Sequence, residues 1–135
     1  MRNHNEKALW NIFSKFIRAR DADWQGNCKC ISCSTIKNWK EMQAGHFIPV
    51  GSDRALKYNE LNVNSQCTSC NLYKSGNLIE YRQRLISKIG EDKVKLLEKS
   101  HYFKTTKKKL NQLEINLAYI FYKSQFDIFK KEKCL

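Results

Sequence analysis

Two Cys-x-x-Cys pairs, Cys30 with Cys33 and Cys67 with Cys70, constrain the fold of this chain more than any other feature of its sequence. Two thiolates on one tight turn can face the same ion, and four thiolates fill the coordination shell of a structural zinc site. A chain that closes such a site must bring the pairs together across the 33 residues between them. The pairs therefore predict Zn²⁺ as a structural cofactor with no open position for water.

The other cysteines leave two alternatives open. Cys28 could replace Cys30 as a ligand through a Cys-x4-Cys spacing with Cys33, but the shorter spacing is favoured because it matches a zinc knuckle. The six cysteines of the chain could also form disulfides. Because the start of the chain lacks the apolar core of a signal peptide, we expect reducing surroundings, which favour metal binding over disulfides.

The chain is strongly basic. Lys and Arg number 25 against 13 Asp and Glu, and the net charge of +12 indicates a polyanionic partner, for which nucleic acid is the obvious class. Residues 72–135 contain 15 of the basic and 7 of the acidic side chains, so most of the excess follows the second cysteine pair. The alternative is a solvated lysine-rich surface with no partner.

The length of 135 residues fits one domain. No run approaches the roughly 18–20 apolar residues of a membrane-spanning helix, so we expect a soluble intracellular protein without a membrane partner. Within the domain we distinguish an N-terminal helix region over residues 1–27, a zinc core over 28–76 and a basic helical part over 77–135.

The first half of the chain predicts one helix and one hairpin. Apolar residues recur at helical spacing from Glu6 to about Arg20, and Asn5 is placed to cap this helix. Residues 35–48 are too broken for a long helix, and they predict a hairpin whose second strand carries Gln43–Phe47.

Three helical stretches follow the second cysteine pair. A helical register begins near Asn71, is interrupted at Gly76 and Asn77, and stops at Gly90. A short helix then spans Glu91 to about Lys99, and the last helix reaches Lys131. The last helix is apolar on so much of its surface that it needs more than one partner. The alternatives are packing within the chain alone, or packing both on the first helix and on a second subunit, as a homodimer.

Three polar residues around the second cysteine pair, His46, Asn62 and Asn71, have the types needed to hydrolyse a phosphodiester. The neutral imidazole of His46 can act as general base, since an unperturbed histidine has a pKa of about 6.5. The amide oxygen of Asn71 can ligate a hard cation such as Mg²⁺ or Mn²⁺, and Asn62 can hold the loop by hydrogen bonds to the backbone. A lone His or Asn is more often structural, but this order around Cys-x-x-Cys is typical of an HNH-type nuclease.

Basic side chains that could grip DNA phosphates flank these residues and recur in the C-terminal part: Arg54, Lys74, Arg82, Arg84, Lys107, Lys108 and Lys109. Tyr73 and Tyr81 could stack on unpaired bases. For each of these side chains, plain exposure or packing is the alternative.

Five segments of the sequence are distinctive in combination: FSKFIRARDAD, CISC, QAGHFI, NVNSQCTSCNLYKSGN and YRQRLISKIG. Together they resemble the lambda-type phage NinG/Rap recombination proteins over roughly residues 12–100. The resemblance implies a DNA endonuclease that uses a divalent metal and cuts branched intermediates such as Holliday junctions and D-loops. It also implies branched DNA as the partner and the cytoplasm of a bacterial host as the location.

Two positions depart from related patterns. In many HNH nucleases the residue before the catalytic histidine is an acidic metal ligand, but here it is Gly45, as in the AGH pattern of the NinG-like proteins. The missing ligand must come from elsewhere, and Asp53, Asp21 and Asp23 are candidates, of which Asp53 is nearest in the chain. Asn64 stands where the family pattern suggests a histidine, which weakens the case for a second catalytic histidine.

These observations predict an α+β fold, with a small HNH-like ββα-metal core, a treble-clef zinc site, and flanking N-terminal and C-terminal helices. The leading hypothesis is a metal-dependent, structure-selective DNA endonuclease of phage recombination. Two alternatives stay open. One is a non-catalytic, zinc-stabilised DNA-binding accessory protein, which Gly45 favours, and the other is an HNH endonuclease that acts on ordinary duplex DNA.

Overall fold

The computed structural model describes residues 1–51, 54–102 and 109–135, and it describes Arg54 and Tyr102 by their backbone alone. Three residues to which the sequence assigned a function, Asp53, Lys107 and Lys108, lie outside the described residues. The described chain contains helices and two small antiparallel sheets, so the predicted α+β class is confirmed.

Four α-helices and four short strands make up most of the regular structure of the described residues. The helices are α1 (Glu6–Asp21), α2 (Leu78–Ile89), α3 (Glu91–Tyr102) and α4 (Gln112–Glu132), and the strands are β1 (Asn27–Lys29), β2 (Ile36–Asn38), β3 (Gln43–His46) and β4 (Val63–Gln66). Two 3₁₀ turns span Trp39–Glu41 and Arg54–Leu56, and one π-helical turn, the π-turn, spans Ser69–Tyr73. None of these helices is both long enough and apolar enough to cross a membrane.

One face of α1 is continuously apolar, which is why this segment forms a helix against the core. The side chains it buries are Leu9, Ile12, Phe13, Phe16, Ile17 and Ala19. Asn5 caps the helix as predicted, because its Oδ1 accepts from the amide N–H of Ala8 at 2.8 Å. The helix ends at Asp21, one residue beyond the predicted end, where Ala22 adopts an extended backbone.

The two sheets are antiparallel hairpins with very different connections. β1 and β2 are joined by the short turn that carries the first cysteine pair, and Lys29 lies opposite Ile36. β3 and β4 are joined by the loop 47–62, and His46 lies opposite Val63. The second cysteine pair directly follows β4, so the hairpin ends present the two pairs to each other.

Residues 35–48 therefore do not form the single hairpin that the sequence predicted. β3 lies close to the predicted second strand, but its partner is β4 and not β2. The reason is the 3₁₀ turn between β2 and β3, where the Trp39 side chain is buried and its amide N–H donates to the carbonyl of Gly26 at 2.8 Å. Burial of this ring turns the chain away from β2 before β3 begins.

The β3–β4 hairpin lies between α1 and α2. On one face, Ala44 and Val63 are buried in the same cluster as the apolar side chains of α1. On the other face, the buried hydroxyl of Tyr81 donates to the carbonyl of Gly45 at 2.8 Å and accepts from Asn64 Nδ2 at 3.1 Å. The hairpin is thus held by apolar packing on one side and by buried hydrogen bonds on the other.

α4 packs along α1 through aromatic rings. The rings of Phe13 and Phe16 lie 4.8 and 5.0 Å from the ring of Tyr122, and the Phe16 ring lies 6.0 Å from that of Phe129. Residues far apart in the chain therefore complete one core. α4 ends at Glu132, one residue beyond the predicted end.

α2 and α3 form a second, smaller core with the loop after β3. Leu85 of α2 and both Val94 and Leu97 of α3 are buried in one cluster with Phe47. α2 ends before the predicted stop at Gly90, whose φ of +94° glycine adopts without steric strain. This second core supports the loop 47–62 from the side opposite α1.

Gly45 is a position where the hairpin has no room for a side chain. A Cβ atom there would lie 1.9 Å from Oε1 of Gln66, whose buried amide nitrogen donates to Ser32 Oγ and the Gly76 carbonyl. We expect Gly45→Ala to lower the free energy of unfolding by about 1–3 kcal/mol, the usual cost of overpacking. Gly51→Ala is the matched control, because no atom lies within 4 Å of a Cβ built there. Urea unfolding measures both variants, and equal stabilities would show that Gln66 moves aside at no cost.

Candidate functional site

The four predicted zinc ligands meet in the structure. The Sγ atoms of Cys30, Cys33, Cys67 and Cys70 all lie within 4.8 Å of one another, and those of Cys33 and Cys67 are 3.7 Å apart. Thiolates bound at about 2.3 Å to a tetrahedral zinc ion lie about 3.8 Å from each other. None of the four forms a disulfide. The cluster has the chemistry and size to hold a metal ion such as zinc.

Backbone turns hold both pairs in place. The amide N–H of Cys30 donates to the Thr35 carbonyl at 2.8 Å and closes the turn between β1 and β2. The amide N–H of Cys67 donates to Cys30 Sγ at 3.3 Å, and Asn77 Nδ2 lies 3.6 Å from Cys70 Sγ. N–H donors around sulfur favour the thiolate form, which is the form that ligates zinc.

Without a metal ion, the thiols of Cys33 and Cys70 have very different pKa values. Burial opposes ionisation of Cys33, but hydrogen bonds of the Thr35 hydroxyl and backbone outweigh it and lower the pKa of Cys33 to about 6. Burial raises the pKa of Cys70 to about 12. Metal binding at this cluster would release protons, so the affinity for zinc should increase with pH.

Cys28 is not part of the cluster. Its side chain is buried, and its thiol donates to the carbonyl of Arg18 at 3.2 Å. Of the two spacings left open by the sequence, the structure therefore contains the shorter one, Cys30 with Cys33.

His46 ends β3, and its ring is held on two sides. Nε2 lies 3.0 Å from the carbonyl oxygen of Lys57, and the ring stacks on the Trp10 indole at a centroid distance of 5.1 Å. Because a carbonyl oxygen only accepts, Nε2 of the neutral ring carries the proton and Nδ1 carries the lone pair. Burial lowers the pKa of His46. The ring is therefore neutral at pH 7, with a fixed orientation and a fixed tautomer.

Nothing in the sequence marks Trp10 or Lys57 as a partner of His46. Trp10 belongs to a helix far from His46 in the chain, and Lys57 contributes a backbone carbonyl that any residue could supply. The chain folds so that α1 covers the face of the hairpin on which His46 lies. Only this long-range packing brings the three residues together.

Asn62 holds the loop 47–62 from inside the protein. Its side chain is fully buried, and Oδ1 accepts from the amide N–H of Ile48 at 2.8 Å. Nδ2 donates to the carbonyls of Ile48 and Leu56, each at 3.1 Å. These are loop-holding hydrogen bonds of the kind that the sequence favoured for Asn62. They position the segment that carries Lys57 without presenting Asn62 to a substrate.

Asn71 lies on the π-turn directly after Cys70. Its Nδ2 donates to Oε1 of Gln43 at 2.6 Å, which leaves the amide oxygen as the atom that could ligate a cation. Gln43 and His46 are three positions apart on β3, and alternate side chains of a strand point to opposite faces. Asn71 is thus anchored on the face away from the His46 ring, and no hydrogen bond between the two occurs in the described ranges.

Asp21 is one of the candidates for the missing acidic ligand, but its carboxylate oxygens already have partners within the protein. Its buried carboxylate pairs with Arg20 at 2.8 Å and with Lys88 at 2.9 Å, and it accepts from the amide N–H of Ser65 at 2.9 Å. Burial opposes ionisation of this group, but the two cations and the hydrogen bonds hold the pKa of Asp21 below its usual value. Asp21 joins α1, β4 and α2 and has no free oxygen directed at β3.

The other acidic candidates do not supply the ligand in the described structure. Asp23 closes the turn after α1, where its carboxylate accepts from the amide N–H groups of Gln25 and Asn27, each at 2.9 Å. Asp53 lies outside the described residues. Within the described ranges, the four cysteines are the one group of His, Cys, Asp or Glu side chains whose ligand atoms converge. A second metal site stays a prediction.

Three of the basic residues predicted to contact DNA lie near the loop or the π-turn. Lys74 follows the π-turn and is exposed, and Lys109 is exposed just before α4. Lys109 lines a cavity of about 680 Å³ together with Lys57, whose carbonyl contacts His46. The side chain of Arg54 is not described.

Two other basic residues that were predicted to contact DNA make contacts within the protein. They are Arg82 and Arg84. Arg82 pairs with Glu98 of α3 at 2.9 Å, and Arg84 donates to the backbone carbonyl of Ser32. Arg84 also lines a cavity of about 570 Å³ beside the first cysteine pair. This cavity has further cationic lining residues that the sequence did not single out: Arg20, Lys29 and Lys88.

The two tyrosines proposed for base stacking differ in exposure. Tyr81 is fully buried, so of the two alternatives packing applies, and its ring cannot stack on a base. The hydrogen bonds of the Tyr81 hydroxyl to the β3–β4 hairpin hold this side chain inside the protein. Tyr73 lies on the π-turn and is 82% exposed, so its ring is open to a ligand.

Removal of one zinc ligand should unfold the protein. Structural zinc contributes on the order of 10 kcal/mol to folding, which is comparable with a net stability of about 5–15 kcal/mol. We expect Cys67→Ala to lose cooperative thermal unfolding, whereas Cys134→Ala, which removes an exposed thiol outside the cluster, should melt like the unmodified protein. Circular dichroism and zinc analysis measure both effects, and a Cys67→Ala protein that melts within a few degrees of the original contradicts the assignment.

Comparison with known proteins identifies relatives among phage proteins. Protein ninG of Escherichia phage lambda is 43% identical over 95 residues, which cover 70% of this chain and 44% of that protein. The ninG proteins of Escherichia phage 933W and Salmonella phage P22 are each 41% identical over 95 residues, or 70% of this chain and 45% and 44% of the relatives. The matches span less than half the length of these relatives. No solved structure matches the chain.

One family model covers nearly all of the sequence. The model described as "Bacteriophage Lambda NinG protein" matches residues 1–132. This extent, together with the identities to the phage proteins, confirms the resemblance at the level of the family. The chain therefore belongs to the NinG family of lambda-like phage proteins.

Proposed function

We propose that this chain is a metal-dependent DNA endonuclease that prefers branched recombination intermediates, built on an HNH-like ββα-metal core with a treble-clef zinc site. The observation that carries the proposal is the state of His46. A neutral imidazole, held in one tautomer by the Lys57 carbonyl and in one orientation by Trp10, is the arrangement that a general base requires.

In the proposed reaction, His46 Nδ1 accepts a proton from the water that attacks the scissile phosphorus. The hydrogen bond from Nε2 to the Lys57 carbonyl stabilises the imidazolium formed in this step, since the carbonyl dipole favours the positive charge. Burial acts in the opposite direction and keeps the ring neutral before the reaction. The proton acceptor is therefore available near pH 7.

The proposed second cofactor is Mg²⁺ or Mn²⁺ held in part by Asn71. Such an ion, when bound, stabilises the charge that develops on the leaving oxygen. The amide oxygen of Asn71 is left to ligate, because its amide nitrogen is tied to Gln43. Asn71 lies on the face of β3 away from the His46 ring, so a phosphodiester that meets both groups would have to lie across the end of the hairpin. Asp53 is the remaining protein candidate for an acidic ligand, and DNA phosphate oxygens would complete the shell.

The charge of the chain supports DNA as the partner. A net charge of +12 favours a polyanion, and the exposed Lys74 directly follows the π-turn that carries Asn71. Lys109 borders the cavity beside the loop that contacts His46, whereas Lys57 in the same cavity is paired with Glu6 at 2.8 Å. Phosphate contacts of this kind give affinity that falls steeply with salt and depends little on sequence.

The preference for branched DNA rests on the family and on Tyr73. The exposed Tyr73 ring follows the proposed ligand Asn71 by two residues on the π-turn. Stacking of an unpaired base on such a ring is worth about 1–3 kcal/mol, and unpaired bases occur at branch points but not in a continuous duplex. Because the relatives are phage proteins, we place the activity in the cytoplasm of the infected bacterium.

One observation favours a non-catalytic alternative, a zinc-stabilised DNA-binding accessory protein. Gln66 fills the space that an acidic side chain at position 45 would need, so β3 offers no carboxylate beside His46. In that alternative the hairpins serve only to bind DNA. A further alternative, an HNH endonuclease of ordinary duplex DNA, shares the chemistry and differs only in its substrate.

Cleavage of a labelled four-way junction tests the proposal directly. His46→Ala should lower the cleavage rate by about 10²–10⁴-fold, the usual contribution of a general base, with little change in DNA affinity. His4→Ala is the matched control, because His4 also stacks on an aromatic ring, Tyr119 at 3.7 Å, but lies outside the hairpin. Junction binding without cutting in Mg²⁺ or Mn²⁺ would establish the accessory alternative, and equal cutting of a linear duplex would establish the duplex enzyme.

The pH dependence of the cleavage rate should follow the protonation of His46. The neutral imidazole is the active form, so the rate is full above the pKa of His46 and is lost as the pH falls through it. Because burial lowers this pKa from its ordinary value of 6.5, the midpoint of the acidic limb should lie below 6.5. Single-turnover rates at saturating metal give the midpoint, and a value above 6.5 would assign the limb to another group.

A further inference from the structure

The outward face of α4 carries a row of apolar side chains that nothing in the described structure covers. Between 46% and 57% of the surface of each is exposed: Leu113, Leu117, Ile120, Phe121 and Ile128. At 100° per residue these side chains, with Ser124 between them, lie within about 100° of arc, so they form one continuous stripe. We call this row the α4 stripe.

Most of the α4 stripe is separate from the packing of α4 within the chain. At its edge, Leu117 borders the cavity that Lys57 and Lys109 also line, and the Phe121 ring lies 5.1 Å from that of Tyr122. Tyr122 and Phe126 are buried, and Tyr122 and Phe129 meet the aromatic rings of α1. The stripe lies on the other side of the helix. A contiguous exposed apolar patch of this kind is rare on a monomer and marks an interaction surface.

The pattern of side chains in the stripe is nearly the same whether it is read from the N-terminal or the C-terminal end of α4. About a centre between Ile120 and Phe121, Leu113 mirrors Ile128, and Leu117 mirrors Ser124. A two-fold axis perpendicular to α4 at this centre therefore places each large apolar side chain of one copy opposite an apolar or small side chain of the other. We propose that a second copy of this chain packs on the stripe, with the two α4 helices antiparallel.

The charges around the stripe favour the antiparallel arrangement. Lys123 and Asp127 beside the centre already neutralise each other through an ion pair of 2.6 Å. Lys130 and Lys131 lie in the last turn, and a parallel pair would bring these four cations of two copies to one end. The antiparallel pair separates them by the length of the helix, about 30 Å, and opposes the helix dipoles favourably.

The proposed dimer leaves both copies of the β3–β4 hairpin free. α1 lies against the inner side of α4, so a contact through the outer side of α4 places α1 and its hairpin on the far side of each copy. A two-fold dimer thus presents two equivalent hairpins. The dimer itself does not rest on the proposed nuclease activity and is tested without DNA.

Sedimentation velocity of the zinc-loaded protein tests the interface, in about 0.5 M salt to screen its positive charge. We expect the mass of two chains for the unmodified protein and of one chain for Ile120→Lys, which places like charges at the two-fold axis. Leu96→Lys is the matched control, because Leu96 of α3 is 62% exposed outside the stripe, and it should remain a dimer. Circular dichroism confirms that each variant is folded. A single-chain mass for the unmodified protein at about 100 μM, or equal dissociation of both variants, overturns the proposal.

Disulfide trapping tests the antiparallel register. Leu117→Cys and Ser124→Cys are each made as separate proteins that also carry Cys134→Ser. The two proteins are mixed, so that dimers with one copy of each can form, and are then oxidised. In the proposed register residue 117 of one copy faces residue 124 of the other, whereas like positions are offset by about 10 Å along the helix, beyond disulfide reach. We expect efficient crosslinking in the mixture of the two variants, and much less crosslinking when either variant is oxidised alone. Efficient crosslinking of either variant with itself would overturn the antiparallel arrangement.

Discussion

The convergence of Cys30, Cys33, Cys67 and Cys70 is the interaction on which the rest of this structure depends. The strands of the two hairpins have only three and four residues, and isolated hairpins of this size are at best marginally stable in water. With their Sγ atoms within 4.8 Å of one another, the cysteines join the turn of one hairpin to the end of the other. A metal ion there would fix the π-turn, and with it Asn71, relative to both sheets.

Buried hydrogen bonds between the cysteine cluster and His46 hold the backbone that positions His46. Asn62 fixes the loop after β3 through three bonds to its backbone, and Tyr81 binds the carbonyl of Gly45, the residue before His46. Buried polar groups that find all their partners favour one arrangement over its neighbours, because any other arrangement leaves them unpaired. The Trp10 stack then sets the plane of the imidazole. The orientation of His46 is thus a property of the whole hairpin and its two covering helices.

The basic charge of the chain is only partly available to a partner. Arg20 and Lys88 neutralise the buried Asp21, and Arg82 pairs with Glu98. Lys74 and Lys109, in contrast, are exposed near the π-turn and the cavity beside the loop. The net charge therefore overstates what the surface offers, because several of the cations are used to hold the fold together.

The sequence by itself determined the features that depend on near neighbours: the apolar face and Asn5 cap of α1, the cysteine spacing, and the end of α2 before Gly90. Helical periodicity and ligand spacing are local, so they can be read without the fold. Only the tertiary structure decided that β3 pairs with β4, that Cys28 stays outside the cluster, that Tyr81 is buried, and that Trp10 and Lys57 hold His46. Strands of three or four residues carry too little pattern to specify a partner, and buried contacts between distant segments make that choice.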